Sequence, residues 1–185
     1  KRSRIFHYGS LSMTHDKNYE ATQYAIQVAK DNGCLISFDP NLRLSLWKTP
    51  EEARKRILYG MKQCDIMKIS EEEVAFVSEQ ESLEKGVSFI RDNSDIKILF
   101  VTLGNKGSIA YYKDEKIYCG GIHQEHVVDT TGAGDTFCGA VLSRILELGT
   151  DALTEKDIRI YRCYQKRCVM FYAGAGRDPG CFFLN

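Results

Sequence analysis

Asp129-Thr130-Thr131-Gly132-Ala133-Gly134-Asp135-Thr136-Phe137, followed by Gly139-Ala140, is the stretch on which the reading of this chain turns. A long helix is predicted directly after it, over about 136–148, stopped by Gly149. Small residues at Gly132-Ala133-Gly134 let backbone N–H groups approach a ligand, and a helix start concentrates unpaired donors and partial positive charge. Such a place suits a phosphate whose charge grows during transfer, a reaction governed mostly by positioning and electrostatics. Asp135 follows the cradle, where a carboxylate can take a proton from a hydroxyl presented beside the phosphate. On these four residues alone, a plain helix cap is the simpler explanation.

Upstream, strands and helices alternate. The run 97–102 is the most apolar strand and ends at Leu103-Gly104; 107–112 and 116–119 read as a hairpin around Lys113-Asp114-Glu115. Residues 5–11 are β-like. Ala21, Tyr24, Ala25 and Val28 give 16–32 a helical spacing, with Gly33 as the stop signal. A buried strand over 34–38 closes at Asp39-Pro40-Asn41. Thr49 caps the next helix, with Pro50 at its first position. The run 65–69 is strand-like, and Ser70-Glu71-Glu72-Glu73 has capping-box spacing. Helices are also predicted over 82–93 and 154–172, and Ala173-Gly174-Ala175-Gly176 reads as a helix end. This alternation implies a mostly parallel sheet with helices on both faces, one αβα domain spanning 1–185. Ligands in such sheets sit beyond the carboxyl ends of the strands, where Asp39-Pro40-Asn41, Ser70, Thr102-Leu103-Gly104 and 129–135 all fall.

Composition sets the outer limits. The 185 residues carry 25 Lys plus Arg and 25 Asp plus Glu, which argues against a nucleic-acid surface. No run approaches the ~18 apolar residues of a membrane span. The basic start Lys1-Arg2-Ser3-Arg4 lacks the apolar centre of a secretory signal, so a cytoplasmic location is expected. The seven cysteines show no two-residue pairing gap and several lie in apolar runs, so buried thiols are expected rather than a disulfide framework. His123 and His126 read as loop residues before a strand rather than as metal ligands.

The string around Asp135 resembles the second signature of the PfkB (ribokinase/fructokinase-like) family of carbohydrate kinases. Phe38-Asp39-Pro40-Asn41-Leu42-Arg43 with Trp47 resembles the Asp-Pro-Asn-x-Arg segment of its fructokinase-like members. Lys68-Ile69-Ser70-Glu71-Glu72-Glu73 is similar to the family's Asn-x-x-Glu segment, with Ser at position 70. Val101-Thr102-Leu103-Gly104 with Gly107 resembles the strand and turn beside the nucleotide, and Phe6-His7-Tyr8-Gly9-Ser10-Leu11 the strand entering this half of the fold.

The resemblance implies a three-layer ribokinase-like fold and ATP-dependent phosphorylation of a sugar hydroxyl. It implies Asp135 as general base and Gly132, Ala133 and Gly134 as the anion hole. Thr102, Gly104 and Gly107 would line the nucleotide, Arg43 would lie near the sugar, and Glu73 would act on Mg²⁺ through water. Asp129 and Thr131 match positions where relatives hold a monovalent cation, usually potassium. Each has a plainer alternative: Glu73 as the cap of its own helix, Arg43 as a solvated charge, Thr102 as a strand end, Asp129 as a turn start. The Asp-Pro-Asn-Leu-Arg segment favours fructose or another ketose; ribose, a nucleoside or a keto-deoxy sugar acid stay open as acceptors. So does a non-catalytic nucleotide-binding remnant.

Relatives also carry a lid and a glycine-rich sugar site ahead of this region, so the chain reads as the catalytic, nucleotide-binding half. An unpaired sheet edge is expected from that, and low activity in isolation. Because relatives often pair through the lid, a homodimer is expected only of the full-length protein. Residues 161–185 match the family poorly, and no role is carried onto them.

Overall fold

Three strands carry the centre of the sheet because their residues are buried in succession, as parallel strands covered on both faces are. They are β2 (Leu35–Asp39), β3 (Ile66–Ser70) and β4 (Ile98–Thr102). A computed structural model describes residues 3–121 and 132–148. Around these strands stand β1 (Ile5–Gly9), α1 (Asp16–Asp31), α2 (Pro50–Gln63), α3 (Glu71–Ser78), α4 (Leu83–Asp92), β5 (Gly107–Tyr112), β6 (Glu115–Gly120) and α5 (Ala133–Leu148). The strands form one six-stranded sheet in chain order, β1 to β6. The first four pair in parallel, with Gly9 opposite Asp39 and Ser70 opposite Thr102, so their carboxyl ends line up. Lys113-Asp114 joins β5 to β6, a link short enough only for an antiparallel pair. The mostly parallel α/β architecture is the expected one, and β1 stands at the end of the strand order, paired with β2.

The chain divides into two compact units, Lys1–Thr102 with Ala110–Lys116, and Leu103–Ile109 with Ile117–Asn185. The first has the larger described core. Ile36, Phe38, Ile57, Met61, Met67, Ile69, Ile90, Ile98, Leu99 and Val101 are at most 1% exposed. Burying each such side chain stabilises the fold by roughly 1.5–3 kcal/mol before entropy is counted. Gly60 on α2 lets that helix settle onto the Phe38 ring, which a Cβ there would meet at 2.7 Å, and its carbonyl accepts the Tyr8 hydroxyl at 2.8 Å. In the second unit Phe137, Cys138, Val141 and Ile145 give α5 a buried stripe.

Local signals worked where the chemistry is local. Thr49 Oγ1 accepts the Glu52 N–H at 3.1 Å with Pro50 at the first helical position, and Ser70 and Glu73 close a reciprocal capping box. Two boundaries differ from expectation by more than one residue. The first strand ends at Gly9 rather than continuing to 11, because Ser10 N–H turns to the Pro40 carbonyl (3.1 Å) and a 3-10 turn, Ser10–Met13, follows. The helix expected from 136 begins at Ala133; Gly132 makes the entry at φ 79°, and its carbonyl accepts the Thr136 N–H at 2.8 Å, which draws 133–135 into the first turn.

Cys64, Cys119 and Cys138 are buried and Cys34 half-buried, and none of the four is in a disulfide. No helix among the described residues is long and apolar enough to cross a membrane, and no cluster of three or more His, Cys, Asp or Glu side chains among them is placed to hold a metal ion. His123, His126, Asp129, Thr131, Val127-Val128, the helix over 154–172 and the loop 173–176 lie outside the described residues.

Candidate functional site

In the first unit, the aligned ends of β2, β3 and β4 bring Asp39, Ser70 and Thr102 to one edge of the sheet. Asn41, the second residue past β2, sits in the left-handed region at φ 44°, which Asn tolerates better than most residues. Its N–H donates to Asp39 Oδ1 at 3.2 Å. The next amide, Leu42 N–H, donates to Glu73 Oε1 at 2.7 Å, while Glu73 Oε2 accepts Ser70 N–H at 2.8 Å. Glu73 is buried at 9% exposure. It therefore caps its own helix and also fastens the loop after β2. An ionised carboxylate oxygen has two acceptor directions, so each Glu73 oxygen keeps one for a water molecule.

Lys68 completes this group. It lies inside the apolar strand β3, 8% exposed, and its Nζ stands 3.1 Å from Asp39 Oδ2 and 3.3 Å from Oδ1. Burial raises the Asp39 carboxyl above its ordinary range against the pull of Lys68, and nearby Glu73 adds to the rise. Lys68 and Asp39 were part of recognisable strings, yet their pairing is a tertiary contact across 29 residues. The available signal was a lysine in the midst of Ile-Met-Lys-Ile.

Arg43 is exposed; its Nη1 donates to the neighbouring Leu42 carbonyl at 3.1 Å, and it precedes a 3-10 turn whose Leu44 and Leu46 are 48% and 56% exposed. Trp47, buried, ends that turn. Thr102 is half-buried and its hydroxyl reaches the Ile69 carbonyl at 3.5 Å.

In the second unit, Gly104 (φ 58°) and Gly107 (φ 113°) bracket a 3-10 turn closed by Leu103 N–H to the Gly107 carbonyl at 2.8 Å. A Cβ on Gly107 would lie 2.0 Å from the Cys119 carbonyl oxygen, so glycine is demanded there by backbone packing as well as by φ. At the start of α5 the first intrahelical bond is Thr136 N–H to the Gly132 carbonyl, at 2.8 Å. The amides of Ala133, Gly134 and Asp135 therefore precede the bonded ladder, at the helix end that favours anions. Gly132, Ala133 and Gly134 are half-buried and Asp135 is exposed in this first turn. The arrangement offers backbone donors and a solvent-accessible carboxylate side by side.

Comparison with known proteins finds relatives of the whole fold. The profile described as pfkB family carbohydrate kinase matches residues 2–159. Fructokinase-1 of Oryza sativa subsp. japonica is 43% identical over 149 residues, covering 80% of this chain and 45% of the relative. A putative fructokinase-8 of Arabidopsis thaliana is 40% identical over 149 residues, covering 80% of this chain and 70% of the relative. Among solved structures, a fructokinase from Vibrio cholerae O395 in a fructose, ADP and calcium ion bound form superposes with a TM-score of 0.83 at 29% identity, over 96% of this chain and 56% of that one. Probable fructokinase-2 of Arabidopsis thaliana, 40% identical, is matched over only 44% of its length.

Proposed function

Because this chain belongs to the pfkB family of carbohydrate kinases, we propose that it is the catalytic, nucleotide-binding part of a fructokinase-like enzyme that transfers the ATP γ-phosphoryl group to a sugar hydroxyl. The observation that carries the reading is the start of α5, where three amides precede the first intrahelical bond and Asp135 stands exposed in the same turn. Asp135 accepts the proton of the attacking primary hydroxyl as it becomes the ester oxygen. The amides of Gly132, Ala133 and Gly134 take up the charge that develops on the phosphoryl oxygens. Thr102, Gly104 and Gly107 lie along the nucleotide, and Arg43 near the sugar.

Glu73 suits a magnesium site reached through water. Each of its oxygens is anchored by one backbone N–H and keeps one acceptor direction, and magnesium retains much of its hydration. When bound, the ion neutralises charge on the phosphate oxygens. Asp129 and Thr131 are the residues for a monovalent cation, and a cytoplasmic location fits such an enzyme. Fructose is the proposed acceptor, supported by the Asp39-Pro40-Asn41-Leu42-Arg43 segment, by relatives named fructokinase and by the fructose-bound Vibrio neighbour.

A substrate panel on the full-length protein, scored by ADP release, tests this. ATP-dependent turnover with fructose above ribose, nucleosides and keto-deoxy sugar acids is expected. Preference for one of those acceptors would move the substrate assignment, and no turnover with any of them would overturn the kinase reading.

A further inference from the structure

Two buried carboxylates hold the loop after β2 by its backbone. Asp39 takes the N–H of Asn41 and Glu73 the N–H of Leu42, on consecutive residues, directly before Arg43. Glu73 needs no cation for this, because its second oxygen is anchored by Ser70 N–H. Asp39 differs. It is 3% exposed at the end of a strand, and among the described residues Lys68 is the cation that meets it, with Nζ within 3.3 Å of both its oxygens. Lys68 is itself 8% exposed and lies among the apolar Ile66, Met67 and Ile69 of its strand. Replacing such a pair with apolar residues is often neutral or stabilising, so stability gives little reason for its presence. Its geometric effect is specific: it fixes which way the Asp39 carboxylate faces, and so where the left-handed Asn41 places the chain leading to Arg43.

We infer that Lys68 is a positioning residue for Arg43, the residue proposed to lie near the sugar, acting through Asp39 on the backbone of 41–43 rather than by touching substrate. The inference rests on the kinase reading for its kinetic consequence, but its geometric half stands apart from it. With Lys68 removed, Asp39 loses the partner that holds both its oxygens, and the tether to Asn41 N–H loosens while Glu73 still holds Leu42. A displacement of about 1 Å at a substrate-positioning segment costs on the order of 10²-fold in rate.

The test uses the full-length protein with Lys68→Met, Asp39→Asn and the double variant, read by amide hydrogen exchange at Asn41 and by steady-state kinetics. In Lys68→Met, exchange at Asn41 should rise at least about tenfold while Phe38 and Ile69 stay protected. kcat/KM for the sugar should fall about 10- to 100-fold, with the KM for ATP unchanged. The double variant should lose no more than the worse single one, because both substitutions act on one contact. Since the double variant contains no buried unpaired charge at this pair, it also serves if Lys68→Met does not fold: it should then show the raised Asn41 exchange and the reduced sugar kcat/KM. Losses that multiply in the double variant, or a kinetic loss with Asn41 exchange unchanged, would mean that Lys68 meets substrate directly and would overturn the inference. Raised exchange with unchanged kinetics would overturn it too. A parent inactive with every sugar would instead refute the kinase reading, and the exchange data would still decide whether Lys68 governs the loop.

Discussion

Glu73 and Leu42, 31 residues apart, are joined by a 2.7 Å hydrogen bond from the Leu42 amide to Glu73 Oε1. The bond ties the first turn of α3 to the loop after β2, and it sets the first expectation. Glu73→Ala leaves two backbone donors, Leu42 N–H and Ser70 N–H, without their acceptor. Unfolding in urea should show a loss of about 1–3 kcal/mol. Glu73→Gln keeps one acceptor oxygen and turns an NH₂ toward the other donor, so its loss should be intermediate. Equal stability of all three proteins would contradict the double anchoring.

Two glycines should respond to alanine in opposite directions. At Gly107 a Cβ would strike the Cys119 carbonyl at 2.0 Å, and φ is 113°. Gly107→Ala is expected to destabilise by about 1–3 kcal/mol from overpacking alone, more with the backbone strain. At Gly139, inside α5, a Cβ meets nothing within 4 Å. Gly139→Ala should stabilise by about 0.4–1 kcal/mol by restricting the unfolded chain. Thermal unfolding of the two variants beside the parent decides it, and a stable Gly107→Ala protein would refute the packing of that turn.

Arg56 gives a pH-dependent expectation. It is buried, donates to the Met13 carbonyl at 2.6 Å, pairs with Asp16 and Glu52, and lies 4.8 Å over the Tyr19 ring. The Arg56 guanidinium bonded to Asp16, with Lys48 also nearby, holds the Asp16 carboxyl below its ordinary range. A depressed carboxyl contributes stability above its unfolded pKa of about 3.9, and that contribution fades as pH falls through the lower folded value. Asp16→Asn should therefore have a lower Tm than the parent at pH 7, and the gap should close on acidification below pH ~4. A gap that persists unchanged into strong acid would show that charge pairing is not its source.

How far the sequence alone reaches depends on the range of the interaction. Thr49-Pro50 and Ser70 with Glu73 act within four residues, and each was legible because cap chemistry is local. That β1 to β4 run parallel followed from alternation of apolar runs and helical spacing; their order in the sheet did not. The end of β1 at Gly9 was not legible, because the Pro40 carbonyl that draws Ser10 away belongs to another strand's loop. For the same reason Glu73 read as a cap or a metal-directed acid, while its grip on Leu42 awaited the fold. Lys68 carried the plainest unheeded signal, a cation inside an apolar strand, which requires a buried partner somewhere.

Asp135→Asn in the full-length protein, assayed for fructose phosphorylation and for ADP binding, is the most direct measurement. The substitution keeps the shape of the side chain and removes its basicity. A kcat lowered by about 10²–10⁴-fold with ADP affinity retained is the predicted result. Turnover at the parent rate would remove Asp135 from the reaction and contradict the account of α5 as the phosphotransfer end of the fold.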